Sequence, residues 1–154
     1  MSDTSDRELV MTRIFDAPRE LVFKAWTERE RIDQWWGPTG FRNETLAMDV
    51  RPGGMWRYIM HGPDGVDYPN RVVYSEVVAP ERLVYRHGSD IDNDPAAFQV
   101  TVTFAVQGNQ THLTMRMVFA TAAQRQEVVQ YGAIAGGQQT LGRLAAYLTT
   151  NMLA

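Results

Sequence analysis

The chain has 154 residues, a formal net charge of −3 and no cysteine. That length fits one domain with a full hydrophobic core, and the missing thiols exclude a disulfide framework, a thiolate zinc site, an iron–sulfur cluster and a cysteine nucleophile. Acids and bases are interspersed without a basic stripe to neutralise phosphates, so nucleic acid is not an expected partner.

Residues 1–7 are polar and read as a disordered tail ahead of a single domain over 8–150. They lack the basic start and apolar core of a signal peptide. No apolar run approaches the roughly 18 residues of a membrane span, so a cytoplasmic protein is expected. Only one of the 15 basic residues is a lysine, Lys24, on which any Schiff-base chemistry would rest.

Residues 8–15 read as a strand. Asp16 or Ala17 then sits near the cap of a helix, with Pro18 in its first turn. Leu21, Val22, Ala25 and Trp26 recur at helical spacing and mark a buried face that leaves out Lys24. Thr27-Glu28-Arg29-Glu30 has the form of a capping box. It opens a second short helix through Trp35, which Gly37-Pro38 stops.

From residue 41 the period becomes two, with strands expected at 41–49, 54–61, 68–78, 82–88, 97–107 and 110–119. Val100, Val102, Phe104 and Val106 share one face, as do Leu113, Met115, Met117 and Phe119. Turns fall at Pro52-Gly53-Gly54, Pro63-Asp64-Gly65, Ala79-Pro80-Glu81 and Gly108-Asn109. Ser89 to Pro95 is an acidic loop. A long helix is expected over 122–150, with Tyr131, Ile134, Gln138, Leu141, Ala145 and Leu148 near one face. Ala135-Gly136-Gly137 interrupts it, either for close packing on the sheet or as a kink at a pocket mouth.

Helices segregated from an antiparallel meander make an α+β fold. A curved sheet around a long helix leaves a concave interior, a common geometry for apolar ligand sites.

No catalytic constellation stands out. His61 ends a strand, His112 alternates onto the outer face, and only His87, on the face of Leu83 and Tyr85, is placed for a pocket. All three also suit a surface or rim. No histidine pair has the helical spacing of a zinc site, so no metal and no cofactor is expected. His87-Gly88-Ser89-Asp90 are neighbours on a loop rather than a triad. Glu76 shares a face with Tyr74 and Val78. Turned inward it would be a general acid or base with a raised pKa; at the rim it would pair with a cross-strand arginine. Asp49 precedes the hairpin.

The aromatic and methionine residues are the better candidates for a ligand surface. Early in the sheet these are Trp36, Trp56, Tyr58 and Met60. Tyr74, Tyr85, His87 and Phe98 follow on the middle strands, with Met115 and Met117 on the last. Tyr131, Ile134 and Gln138 of the long helix face the same interior. The residues alone fit a filled core as well as a partial cavity.

Phe15-Asp16-Ala17-Pro18-Arg19-Glu20-Leu21-Val22-Phe23-Lys24-Ala25-Trp26-Thr27 resembles the opening motif of the activator-of-heat-shock-protein-90-ATPase homologue family, within the START-like, birch-pollen-allergen-like superfamily. Trp35-Trp36-Gly37-Pro38, Asp49-Val50-Arg51-Pro52-Gly53-Gly54 with Trp56, Pro80-Glu81-Arg82-Leu83, and Thr140-Leu141-Gly142-Arg143-Leu144 follow in the family's order, so the resemblance covers roughly residues 8–150. It implies a helix-grip fold, with a curved antiparallel sheet of about six to seven strands around the long C-terminal helix and two short helices after the first strand. In the wider superfamily such folds bind lipids, sterols, polyketides and other apolar molecules, and some are cyclases. The resemblance thus implies a small apolar or aromatic ligand; the alternatives are a polyketide cyclase or aromatase, with Tyr58, Tyr85, His87 or Glu76 orienting the substrate, and a chaperone-linked regulatory module. Eukaryotic chaperone activators carry an additional N-terminal chaperone-binding domain, whereas only about seven residues precede the first strand here, so chaperone binding is not expected to carry over. A homodimer is compatible with the sequence but not required by it.

Overall fold

The computed structural model describes residues 4–151. Ser5–Arg7 form a 3-10 turn. Arg7 Nη1 donates to the Phe119 carbonyl at 2.7 Å, and the Phe119 N–H donates to the Arg7 carbonyl at 2.9 Å. Residues 4–7 are therefore tied to the end of the last strand, where a disordered tail was expected; residues 1–3 lie outside the described residues.

Strand β1 (Glu8–Phe15) leads into helix α1 (Arg19–Thr27) and the one-turn helix α2 (Arg29–Ile32). Pro18 has extended backbone and stands just before α1 rather than inside it. Its fixed φ and missing N–H are harmless there. Val22, Phe23, Ala25 and Trp26 are buried while Lys24 is exposed. The capping box does not form. Thr27 ends α1 and donates to the Phe23 carbonyl at 2.8 Å, so its hydroxyl is used inside the helix it closes. Helix α2 stops at Ile32, and turn bonds carry the chain on, with the Trp36 N–H reaching the Ile32 carbonyl at 3.0 Å.

Strands β2 (Arg42–Met48), β3 (Met55–His61), β4 (Asp67–Val78), β5 (Arg82–Ser89), β6 (Phe98–Gln107) and β7 (Gln110–Val118) follow. All pair antiparallel, in the order β1-β7-β6-β5-β4-β3-β2. Because α1 and α2 carry the chain from one edge to the other, first and last strands are neighbours. The Arg51–Gly54 turn folds back onto β4: Gly53 donates to the Tyr74 carbonyl at 2.8 Å, and Tyr74 donates to the Gly54 carbonyl at 3.0 Å.

The long C-terminal helix is two helices, α3 (Ala122–Gln130) and α4 (Ala133–Asn151). Thr121 Oγ1 caps α3 by accepting from the Gln124 N–H at 3.0 Å. The break falls at Gly132, whose φ of +88° is the left-handed conformation that ends helices. Gly136 and Gly137 lie inside α4. A Cβ on Gly137 would run into the Met11 thioether of β1, so Gly137 packs closely on the sheet, whereas a Cβ on Gly136 would meet only Pro38 of the Trp36 loop.

The result is an α+β helix-grip fold. Within its core Trp26, Trp35, Trp36 and Trp56 meet edge to face, with ring centroids 4.9 to 5.5 Å apart between neighbours along Trp26–Trp35–Trp36–Trp56. Trp35 Nε1 donates to the Ala25 carbonyl and Trp56 Nε1 to Thr45 Oγ1, each at 3.0 Å, so these two indoles are buried with their polar atoms satisfied. Among the described residues no helix is long and apolar enough to cross a membrane.

Candidate functional site

Alternation along the strands points one row of side chains into the concave face of the sheet. Tyr58 and Met60 come from β3, Tyr85 and His87 from β5, Phe98 and Val100 from β6, and Met115 and Met117 from β7. Trp36, Gly37 and Pro38 close one side. Opposite stand Val128 of α3, Gly132, and Ala133, Gly136, Gly137 and Thr140 of α4. The small residues at spacings of three and four leave the helix face bare, so the concavity is not filled. It encloses about 740 Å³, within the size range of small-molecule sites.

Polar groups in the lining are few, and several are spent. The Thr140 hydroxyl donates to the Gly136 carbonyl at 2.9 Å. Gln124 donates to the Ala96 carbonyl at 2.6 Å and accepts from the Ala120 N–H at 3.0 Å, tying α3 to the β5–β6 loop. Glu127 is exposed at the rim, as are Tyr68 and Ala96.

The exception is the dyad at the cavity floor. The Tyr58 hydroxyl lies 2.6 Å from His87 Nε2. His87 also packs against Phe98, Tyr58, Trp36 and Tyr85, with centroids between 5.3 and 6.5 Å. Burial among these rings pushes the His87 imidazole down to about 4, because no nearby charge compensates the cation. Burial pushes the Tyr58 phenol well above its ordinary value, opposed by the Trp36 indole N–H. Both groups are therefore neutral near neutral pH.

Of the residues expected from the sequence, Trp36, Tyr58, Met60, Tyr85, His87, Phe98, Met115 and Met117 lie on this lining, and Tyr131 stands at its rim, 83% exposed. Four are placed elsewhere. Trp56 stacks behind Tyr58 with centroids 4.1 Å apart and is shut off from the cavity. Tyr74 is buried behind Tyr85, edge on at 6.0 Å. Ile134 and Gln138 point to solvent, because the break at Gly132 resets the helical phase and turns residues 133, 136, 137 and 140 inward. That 133-136-137-140 spacing of small residues was legible but read as an interruption. Gln124, Glu127 and Val128 were not anticipated; their strip of α3 carries no buried residue and gives no amphipathic signal.

Glu76 faces away and pairs with Arg82 at 3.0 Å. A bulge between Tyr74 and Glu76 shifts the register, so Glu76 leaves the face that Tyr74 occupies. Asp49 pairs with Arg51 at 2.6 Å on the surface. His61 is held between Glu44 and Asp67, outside the cavity. Asp90 is engaged by Arg57 and Arg71, and the Ser89 N–H by Asp94, so His87, Ser89 and Asp90 form no triad. Among the described residues no three His, Cys, Asp or Glu side chains are grouped to hold a metal.

The family model described as Activator of Hsp90 ATPase homolog 1-like protein matches residues 16–149. Among solved structures, the chain is similar to a Mycobacterium smegmatis protein at 25% identity and TM-score 0.84, covering 95% of this chain and 93% of that one. A Chromobacterium violaceum protein is similar at 26% identity and TM-score 0.78, covering 91% and 95%. An Arthrobacter aurescens protein shares the fold at 22% identity and TM-score 0.89, covering 97% and 90%. No curated protein matches the chain.

Proposed function

This chain belongs to the Activator of Hsp90 ATPase homolog 1-like family, and we propose that it binds a small apolar or aromatic molecule between the sheet and the α3–α4 pair. The cavity of about 740 Å³ carries the reading: its walls are aromatic rings, methionines and bare helix backbone, with few unspent polar groups. Such a lining gains by excluding water from an apolar guest. Superfamily relatives use the corresponding interior for apolar ligands.

Binding is favoured over cyclase chemistry. Tyr58, Tyr85 and His87 do reach the cavity, but Glu76 does not. An imidazole pushed down to about 4 is a weak base at neutral pH.

Titration with pyrene, followed by quenching of tryptophan emission, tests the proposal, since Trp36 lines the cavity. Saturable quenching is expected in the wild type, and Ala133→Trp, which fills the space from α4, abolishes it. Quenching that never saturates, or that is unchanged in Ala133→Trp, overturns the proposal.

A further inference from the structure

Within the cavity proposed above as a binding site, we infer that the preferred ligand is uncharged and carries one hydrogen-bond-accepting oxygen, docked on His87 Nδ1–H, and that carboxylates are rejected. The inference rests on that cavity reading and adds the chemistry of the guest.

The Tyr58–His87 contact supplies the donor. A phenol is the stronger donor and a neutral imidazole nitrogen the stronger acceptor, so across the 2.6 Å contact we assign the Tyr58 hydrogen to His87 Nε2. A neutral imidazole that accepts at Nε2 carries its hydrogen on Nδ1. Among the described residues no hydrogen-bond partner stands at Nδ1, and His87 lies on the cavity lining. An N–H without a protein partner on the lining of an apolar cavity seeks an acceptor, and a guest that lacks one leaves it unpaired.

Charge supplies the exclusion. Among the described residues no lysine or arginine lines the cavity, and its one carboxylate, Glu127, stands at the rim. Arg143 lies nearby, but its Nη1 is directed at the carbonyls of Trp36, Gly37 and Pro38. A carboxylate entering the cavity would give up its hydration and meet no cation. A ketone of the same shape loses far less and keeps the bond to Nδ1.

Acetylpyrene and pyrene carboxylate test this, because they differ chiefly by a methyl group in place of a charged oxygen; pyrene itself lacks the acceptor. Dissociation constants are measured at neutral pH on the full chain by calorimetry. Acetylpyrene is expected to bind at least about tenfold more tightly than the carboxylate and several-fold more tightly than pyrene. In His87→Phe the advantage over pyrene disappears while pyrene still binds. If the carboxylate binds as tightly as the ketone, or if His87→Phe keeps the ketone's advantage, the inference is overturned and the cavity reading survives. If none of the three binds saturably, the cavity reading itself fails and this inference with it. Should His87→Phe not fold, the ketone–carboxylate pair on the wild type still decides.

Discussion

Arg143 on α4 donates through Nη1 to the Gly37 carbonyl at 2.8 Å. The same nitrogen lies 3.1 Å from the Pro38 carbonyl and 3.5 Å from that of Trp36, and Gln139 accepts from the Thr39 N–H at 3.2 Å. Two segments more than 100 residues apart, Trp35-Trp36-Gly37-Pro38 and Thr140-Leu141-Gly142-Arg143-Leu144, thus form one joint that holds the Trp36 loop at the cavity. Burial lowers the Arg143 pKa, and carbonyl dipoles solvate its charge.

Arg143→Ala should therefore cost about 1–3 kcal/mol, read from the urea midpoint, because it leaves carbonyls short of a donor and frees the loop. Arg143→Lys should recover only part, since an ammonium lacks the planar fork. A midpoint for Arg143→Ala equal to wild type would show that the joint contributes nothing.

His87 makes stability depend on acid. Its pKa is about 4 in the folded state against an ordinary 6.5, so above that ordinary value neither state is protonated and the group has no effect. As pH falls between the two values the unfolded chain takes the proton first, and stability drops by about 1.4 kcal/mol per pH unit, or about 3 kcal/mol in all. Urea midpoints across that window should fall more steeply for wild type than for His87→Phe. Parallel slopes would mean that the imidazole is solvated.

Gly54 has no room for a side chain. Its Cβ would overlap the Asp49 carbonyl, which is backbone and cannot swing aside. Gly54→Ala must displace the turn that pairs with Tyr74, and a loss of about 2 kcal/mol or more is expected in denaturant unfolding. Gly65→Ala is the control: its Cβ meets nothing within 4 Å, so only its φ of +83° opposes the change, at about 1 kcal/mol.

Glu76→Gln should change little. Its pair with Arg82 is exposed, and such pairs contribute about 0–1 kcal/mol. Pyrene binding should be unaltered. A loss of binding in Glu76→Gln would place that carboxylate in the cavity, against the register of β4.

The strands were legible almost to the residue. An expected 54–61 is Met55–His61, 97–107 is Phe98–Gln107 and 110–119 is Gln110–Val118. Apolar alternation, with turns such as Gly108-Asn109, is a local signal that the fold preserves. The side-chain inventory of the cavity was less legible, because facing depends on phase, and phase is altered by single residues. The bulge after Tyr74 turned Glu76 outward. The break at Gly132 moved the inward stripe of α4 from Ile134 and Gln138 to Ala133, Gly136, Gly137 and Thr140.

The sequence by itself determined the fold class, the meander, the family and the absence of thiol chemistry, since these follow from composition, periodicity and motif order. Only the tertiary structure decided that Trp56 stacks behind Tyr58 while Trp36 faces the cavity, and that Tyr58 meets His87 across 29 positions of sequence at 2.6 Å. Whether an aromatic ring fills a core or walls a cavity depends on what lies opposite. Here the facing surface is a helix stripe of glycine and alanine, brought there by packing over a distance that no local pattern encodes.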